Sequence, residues 1–150
     1  MAVRLALLVP LLLLLVACQE QTDTSMPDSP NPQTGRWYSE EQVQAGEQLF
    51  LENCAVCHGQ QAQGLVENWR QRLDDGSLPP PPLNGTAHAW HHPLSVLMQV
   101  INDGGVALGG TMPGFAETLD EDEKRAVIAF FQSFWSEEIY GQWLQMGGTN

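Results

Sequence analysis

The chain has 150 residues, which is enough for one domain, and a formal net charge of −12 at pH 7. This acidity excludes a nucleic-acid-binding surface, because phosphates are neutralised by Lys and Arg side chains. An anionic membrane would also repel the folded part, so any attachment to a membrane must come from another source.

The N-terminal residues have the composition of a secretory signal. Arg4 precedes an apolar run from Leu5 to Val16, which is about 12 residues long, whereas a membrane-spanning helix needs about 20. Pro10 also lies inside this run. We therefore predict a signal peptide over residues 1–17, with a transmembrane anchor as the weaker alternative.

Cys18 ends a segment, Leu15-Val16-Ala17-Cys18, that resembles the lipobox of bacterial lipoproteins. In that family the cysteine becomes the lipid-modified first residue of the mature protein. The alternative is an ordinary signal peptide that contains a cysteine. The resemblance implies a domain on the periplasmic side of the bacterial cell envelope, attached to a membrane through acyl chains.

Residues 19–36 contain three prolines and no large apolar residue except Met26, so they cannot contribute to a hydrophobic core. We predict that residues 18–36 comprise the lipidated cysteine and a flexible tether. The folded domain is then expected over residues 37–136, followed by a tail at residues 137–150. This tail either packs back on the domain or contacts a partner.

Three helices are expected in the domain, and no run of strand alternation is visible, so the predicted class is all-α. The first helix begins at the capping-box sequence Ser39-Glu40-Glu41-Gln42, the second at Pro93 and the third at Asp120, with Glu123 three residues further on. The second helix is expected to end at Gly104-Gly105. The apolar faces comprise Val43, Gly46, Leu49 and Phe50 in the first helix, Leu94, Leu97, Met98 and Ile101 in the second, and Val127, Phe130, Phe131 and Phe134 in the third.

The most specific motif is Cys54-Ala55-Val56-Cys57-His58, which has the C-x-x-C-H spacing of a covalent haem c attachment site. The two thiols add across the haem vinyl groups, and the adjacent histidine becomes the proximal iron ligand. A redox dithiol needs no trailing histidine, and a zinc site needs four ligands, for which the sequence has no second cysteine pair. The three cysteines are thereby assigned, one to lipid and two to a single haem, and none is left for a disulfide.

The sixth iron ligand must come from another part of the chain. Met112 follows a loop without helical periodicity, and Pro113 favours an extended backbone that can present the thioether inward. Met98 lies on the apolar face of the second helix and is expected in the core. Met26 and Met146 lie in the tether and in the tail.

Three histidines, His88, His91 and His92, are the alternative to Met112. One of them at the sixth position would give a haem with two histidine ligands, and the three together could hold copper. The interpretation that we favour is a polar loop that passes the haem edge, with Trp90 beside a propionate.

Residues 66–80 form a long connection, in which residues 66–73 are predicted to form a short helix. Arg70 and Arg72 in this segment either neutralise a haem propionate or remain solvated on the surface.

Taken together, residues 39–135 resemble a class I c-type cytochrome with a single haem. In that family, a glycine and an aromatic residue one turn apart on the N-terminal helix pack against an aromatic residue on the C-terminal helix. Gly46, Phe50 and Phe130 match these positions. The resemblance implies a small all-α fold whose helices surround one covalently bound haem c.

Two further segments carry the resemblance. Pro81-Pro82-Leu83-Asn84-Gly85 is similar to the family's Pro-x-Leu-x-Gly segment, in which the carbonyl of the first proline accepts a hydrogen bond from the haem-binding histidine. Pro81 would therefore orient His58 and raise its basicity as a ligand. The sequence Met112-Pro113-Gly114-Phe115 matches the family's Met-Pro-x-Phe signature, which implies that Met112 is the distal iron ligand.

The resemblance implies one-electron transfer rather than catalysis, because a filled sixth position leaves no site for a substrate. The alternatives are a haem subunit of a larger oxidase or dehydrogenase complex, and a haem enzyme or gas sensor whose sixth position is open. Removal of residues 1–17 takes away Arg4, one of six basic residues, and makes the net charge still more negative. We therefore expect redox donors and acceptors with basic docking faces, whose association weakens as the salt concentration rises.

Overall fold

The computed structural model of the chain describes residues 30–150, which contain helices and loops but no strand. The predicted all-α class is confirmed, whereas Cys18 and the signal segment lie outside the described residues. Within this range the α-helices, in chain order, are α1 (Glu40–Asn53), α2 (Ala55–His58), α3 (Leu94–Asp103), α4 (Glu121–Ser133) and α5 (Glu137–Gln145). Short 3-10 turns at Ala89–His91 and Val106–Leu108 flank α3.

Helix α1 begins where the sequence predicts it. The Ser39 hydroxyl accepts a hydrogen bond from the Gln42 amide, and the Gln42 side chain accepts one from the Ser39 amide, which completes a capping box. Gly46 is buried against α4, where a Cβ atom would overlap the α4 backbone. Because Gly46 has no side chain, the two helices cross closely, and the rings of Phe50 and Phe130 lie 5.1 Å apart between centroids. The helix contact implied by the resemblance is therefore present.

Helix α4 is the most deeply buried helix of the described chain. Asp120 and Glu123 form the predicted capping box at its start, and residues 126–132 are all buried. Lys124 is buried as well, and its Nζ donates a hydrogen bond to the Asn102 side chain at 2.8 Å. This bond ties α4 to the end of α3.

Helix α3 buries the predicted residues Leu94, Leu97 and Ile101, and Met98 packs partly buried against the same core. The helix ends at Gly104, whose φ of +80° is a conformation that favours glycine. Both ends of this helix are therefore close to the positions that the sequence predicts.

Two local predictions are wrong. Residues 66–73 form turns and bends instead of a helix, because the segment is largely exposed and has no continuous apolar face to bury. Phe134, expected on the buried face of the third helix, follows α4 as its C-terminal cap and is 39% exposed. Its ring still contacts the edge of Phe130, at 5.1 Å between centroids.

Residues 36–38 and 132–150 pack on each other, and we call this assembly the terminal clasp. Its interior consists largely of aromatic side chains that are each no more than 5% exposed: Trp37, Tyr38, Trp135, Tyr140 and Trp143. The tail beyond α4 therefore packs back on the domain, which is one of the two alternatives that the sequence left open.

Arg36 joins the two parts of the terminal clasp. Its guanidinium lies 4.0 Å from the centroid of the Tyr140 ring, donates to the carbonyl of Trp135 and pairs with Glu137. The amide of Trp37 donates to the Tyr140 hydroxyl at 2.9 Å. Arg36, which the sequence placed in the tether, is therefore part of the folded structure. Within residues 30–150, no helix is both long enough and apolar enough to cross a bilayer.

Candidate haem-binding site

A largely apolar cavity of about 420 Å³ lies between α3, α4 and the loops that flank α3. Cofactor pockets in proteins are on the order of 300–1,000 Å³. The residues predicted to bind the cofactor all line this cavity: Cys54, Cys57, His58, Met112 and Pro81. The rest of the wall is mostly apolar and includes Leu83, Ala89, Val96, Val100 and Phe131. The fold thus brings together residues that are widely separated in the sequence.

His58 is buried at the end of α2, and one hydrogen bond fixes its orientation. Its Nδ1 lies 2.9 Å from the carbonyl oxygen of Pro81, and since a carbonyl can only accept, Nδ1 carries the proton. This tautomer leaves the lone pair of Nε2 for a metal. Burial lowers the pKa of His58, while the bond to Pro81 opposes part of this shift. The imidazole is therefore neutral at pH 7, as a metal ligand must be.

The two cysteines lie at the edge of the cavity, Cys54 partly buried and Cys57 exposed. Burial, and secondarily the neighbouring Cys57, raise the pKa of Cys54 to about 11. The reactive cysteine of a thiol–disulfide catalyst has a lowered pKa, and the pKa of Cys54 is shifted in the opposite direction. Val56, between the two cysteines, is 77% exposed and marks the side of the cavity that faces solvent.

The loop that carries Met112 is tied to the end of α3 by backbone hydrogen bonds. The Gly105 amide donates to the Met112 carbonyl at 3.0 Å, and the Phe115 amide donates to the Ile101 carbonyl at 2.9 Å. A Cβ atom at Gly104 would lie only 2.6 Å from the Met112 carbonyl oxygen, so this close approach requires a glycine. The partly buried Met112 side chain packs against the core from this loop. Its role as an iron ligand stays a prediction.

The three histidines are not arranged as one metal-binding group. Within residues 30–150, no cluster of three or more His, Cys, Asp or Glu side chains is suited to hold a metal ion. His91 is exposed and stacks on Trp90, with 3.8 Å between ring centroids, whereas His88 and His92 line the cavity. This geometry disfavours the copper alternative.

His88 is held between aromatic neighbours. Its ring stacks on Trp69 at 4.9 Å and meets the edge of His92 at 5.5 Å. The Arg70 guanidinium lies 4.1 Å from the centroid of the Trp69 ring, and Arg72 donates to a backbone carbonyl of its own loop at 2.6 Å. Burial, and then the proximity of His92, lower the pKa of His88, so that its ring is neutral at pH 7.

Two hydrogen bonds that hold the cavity loops were not predicted. The indole Nε1 of Trp135 donates to the Leu83 carbonyl at 2.7 Å, and that of Trp143 donates to the His92 carbonyl at 2.8 Å. The sequence left open whether the tail packs back on the domain, and no sequence pattern identifies the backbone carbonyls that accept these two bonds.

The residues of the cavity fit a haem. Two thiols lie at its edge, a neutral imidazole has a free Nε2, and a thioether lies on a separate loop. Imidazole and thioether are ligands that hold haem iron in cytochromes, and an apolar wall suits the porphyrin ring.

This part of the chain is similar in sequence to known proteins. Residues 41–131 match a family model described as cytochrome C oxidase, cbb3-type, subunit III. Two similar proteins from Rhodobacter capsulatus are named Cbb3-type cytochrome c oxidase subunit CcoP. One is 49% identical over 109 residues, covering 67% of this chain and 32% of the relative. The other is 42% identical over 43 residues, covering 29% of this chain and 14% of the relative.

The chain thus spans about a third or less of the length of the curated relatives that it matches. No solved structure gives a significant match. The family match begins in α1 and ends at Phe131 in the cavity wall, so it contains the C-x-x-C-H motif and the Met112 loop. Because the match covers more than half of the chain and includes its cavity, this protein belongs to the cbb3-type cytochrome c oxidase subunit III family of c-type cytochromes, whose cofactor is haem c.

Proposed function

We propose that the chain is a one-electron carrier that binds a single haem c covalently and is attached to a membrane of the bacterial envelope. The observation that supports this most directly is the convergence of Cys54, Cys57, His58 and Met112 on one apolar cavity. These residues supply two thiols for attachment and two ligands suited to haem iron. The single C-x-x-C-H motif supports a single haem.

Each residue has a separate role in this proposal. Cys54 and Cys57 form thioethers at the solvent-facing edge of the cavity. His58, whose Nδ1 proton is held by the Pro81 carbonyl, would coordinate through Nε2, and Met112 would coordinate from the loop after α3. When bound, haem supplies an iron that alternates between the ferric and ferrous states, at a higher potential with His/Met ligation than with two histidines.

If His58 and Met112 both held the iron, neither a substrate nor a gas would have a site on it, and the chain would act as a carrier rather than as an enzyme or a gas sensor. The acidic chain, with its formal net charge of −12, supports redox partners that have basic docking faces. A lipid on Cys18 would keep the carrier beside membrane-bound partners of this kind.

A second candidate is a haem subunit of a larger oxidase complex, and family membership favours it. The R. capsulatus relatives are named as subunits of a cbb3-type cytochrome c oxidase. We propose that this chain exchanges electrons in the same kind of respiratory setting. The two candidates differ in whether the chain stays bound to other subunits.

Mild detergent extraction followed by native electrophoresis separates these two candidates. A carrier migrates alone, whereas a subunit migrates with the other oxidase subunits. For a free carrier, Cys18→Ser should release the protein from the membrane fraction or block its processing, whereas a bound subunit that is still processed stays with its complex. Mass spectrometry that finds an unmodified Cys18 in the mature protein would contradict the lipid anchor.

The axial ligands are tested by spectroscopy of the haem-loaded protein. The ferric protein should be low-spin and show the weak red charge-transfer band of sulfur bound to ferric haem. Met112→Ala should abolish this band and lower the potential, because a thioether favours ferrous iron. Met98, which packs against the core, provides the control, since Met98→Leu conserves volume and should change neither property.

Rapid binding of carbon monoxide by the wild-type protein, together with absence of the sulfur band, would contradict the carrier proposal. The iron would then have an open position, whereas absence of the sulfur band without rapid carbon monoxide binding would indicate a second histidine ligand, with His88 and His92 as the candidates in the cavity wall. For an open position, an enzyme or a gas sensor would become the better assignment.

A further inference from the structure

The backbone of Leu83 is held from two sides. Its amide donates to the carbonyl of Ala62 at 2.7 Å, and its carbonyl accepts the indole N–H of Trp135, also at 2.7 Å. Ala62 lies in the loop after the C-x-x-C-H motif, so the first bond is internal to the cavity region. The second bond reaches the cavity loop from the terminal clasp.

Leu83 is two residues from Pro81, whose carbonyl orients His58. Leu83 and Pro81 both line the cavity, and the intervening Pro82 is buried. Proline has a fixed φ, so Pro81 and Pro82 limit how far this segment can adjust to a displacement of Leu83. A movement of the Leu83 carbonyl would therefore shift the acceptor of the His58 Nδ1 proton.

Trp135 is itself firmly held. It is 2% exposed, its ring meets Trp143 edge-on at 5.9 Å, and it lies 6.3 Å from the Phe131 ring. Trp143 is completely buried and donates to the carbonyl of His92. Both tryptophans lie outside the family-matched residues 41–131, so the family match assigns them no role.

We propose that Trp135 is a positioning residue for His58: its indole N–H holds Leu83 and thereby fixes the Pro81 carbonyl against the imidazole. This inference rests on the proposed role of His58 as an iron ligand. A strong hydrogen bond at Nδ1 raises the basicity of the imidazole, which stabilises ferric iron. Loss of the Trp135 support weakens that bond, so the reduction potential rises.

The test compares Trp135→Phe with Trp37→Phe in the haem-loaded protein. Both substitutions remove a buried indole N–H and keep an aromatic ring. The Trp37 N–H, however, donates at 2.7 Å to the side chain of Gln132, which is not among the residues that line the cavity. Trp37→Phe is therefore a matched control for the loss of a buried hydrogen bond in the terminal clasp.

Spectroelectrochemical titration should show a roughly threefold shift toward ferrous haem in Trp135→Phe at a fixed electrode potential, where a tenfold shift corresponds to about 59 mV for one electron. Trp37→Phe should match the wild type. The Nδ1 proton of His58, observed by NMR, should also exchange faster with solvent in Trp135→Phe alone. A loss of overall stability shared by both variants would not produce this difference.

Equal potentials in the wild type and in Trp135→Phe, or equal shifts in the two variants, would overturn the inference. If Trp135→Phe does not retain haem, replacement of Trp135 by its benzothiophene analogue, which keeps the shape and lacks the N–H, gives the same comparison. A wild-type spectrum without coordinated His58 would instead refute the proposed function, so the two failures are distinguishable.

Discussion

The cavity region, by which we mean the residues that line the cavity, and the terminal clasp both bury aromatic and aliphatic side chains. Only in the clasp do the chain's own side chains fill the interior. In the clasp, Trp143 is completely buried, Tyr140 is 3% exposed, and their ring centroids lie 5.3 Å apart. The cavity region encloses about 420 Å³ among the side chains that line it. Leu83 and Phe115 are only partly buried there.

This difference indicates that the two regions obtain their stability from different sources. Side chains that line a cavity receive fewer dispersion contacts from the chain itself than closely packed side chains do, so a bound cofactor would complete the core of the cavity region. The clasp is packed by the chain itself. It can therefore hold the cavity loops in place, through the hydrogen bonds of Trp135 and Trp143.

Removal of both attachment thiols should have the largest effect and should act on the cavity region first. The double variant Cys54→Ala, Cys57→Ala should lose essentially all covalently bound haem, as read by haem staining of a denaturing gel. Amide hydrogen exchange should then accelerate most in α3, which lines the cavity, and least in α5 of the terminal clasp. Cys18→Ser is the control that should keep its haem. Uniform acceleration across the domain would contradict the division into two regions.

Truncation of a central side chain tests the clasp. Trp143→Ala should lower the free energy of unfolding by about 3–5 kcal/mol, because it leaves a cavity and removes a hydrogen bond to the loop before α3. Leu144→Ala, next to it but 42% exposed, should change stability by less than about 0.5 kcal/mol. Denaturant titration of the haem-loaded protein measures both. Similar values for the two variants would show that the clasp is not closely packed.

Addition of one methyl group compares packing at two helical glycines. Gly46→Ala should cost about 1–3 kcal/mol, because the new Cβ would overlap the α4 backbone and force α1 away. Gly141→Ala, in α5, meets no atom within 4 Å and should raise stability by about 0.5–1 kcal/mol. The midpoint temperature of thermal unfolding should therefore fall in Gly46→Ala and rise in Gly141→Ala. A neutral Gly46→Ala would show that the α1–α4 crossing tolerates separation.

Alkaline pH should produce the smallest change in the free energy of unfolding, through a buried tyrosine of the clasp. Burial raises the pKa of Tyr38 to about 12, with nearby Arg36 opposing part of the shift. An unfolded tyrosine ionises near pH ~10, so between pH ~10 and 12 the unfolded state loses its proton first and the folded state loses stability. Tyr38→Phe should show a smaller loss over this interval in denaturant titrations. Identical pH curves for the variant and the wild type would contradict this assignment.

The sequence predicted the features that depend on neighbouring residues. The capping boxes at Ser39 and Asp120 are present because each involves residues only three positions apart. The C-x-x-C-H motif was identifiable for the same reason. The bond between His58 and Pro81 spans 23 residues and was expected only through the family resemblance.

Local sequence patterns did not predict the contacts between segments that are distant in the sequence. The bonds of Trp135 to Leu83 and of Trp143 to His92 span 52 and 51 residues, and their acceptors are backbone carbonyls that carry no residue signature. The prediction of a helix at residues 66–73 was wrong for the opposite reason. Their local composition allowed a helix, but the fold offers this segment no surface on which to bury one face.

The terminal clasp also has a consequence for the order of folding events. Arg36 meets Glu137, and Trp37 meets Tyr140, across separations of 101 and 103 residues. We expect such contacts to form late, because their loop-closure entropy is large and must be offset by contacts that are already formed. All residues that line the cavity lie between these partners in the sequence. We therefore expect the cavity to be able to take up its cofactor while the ends are still apart, with closure of the clasp as a later step.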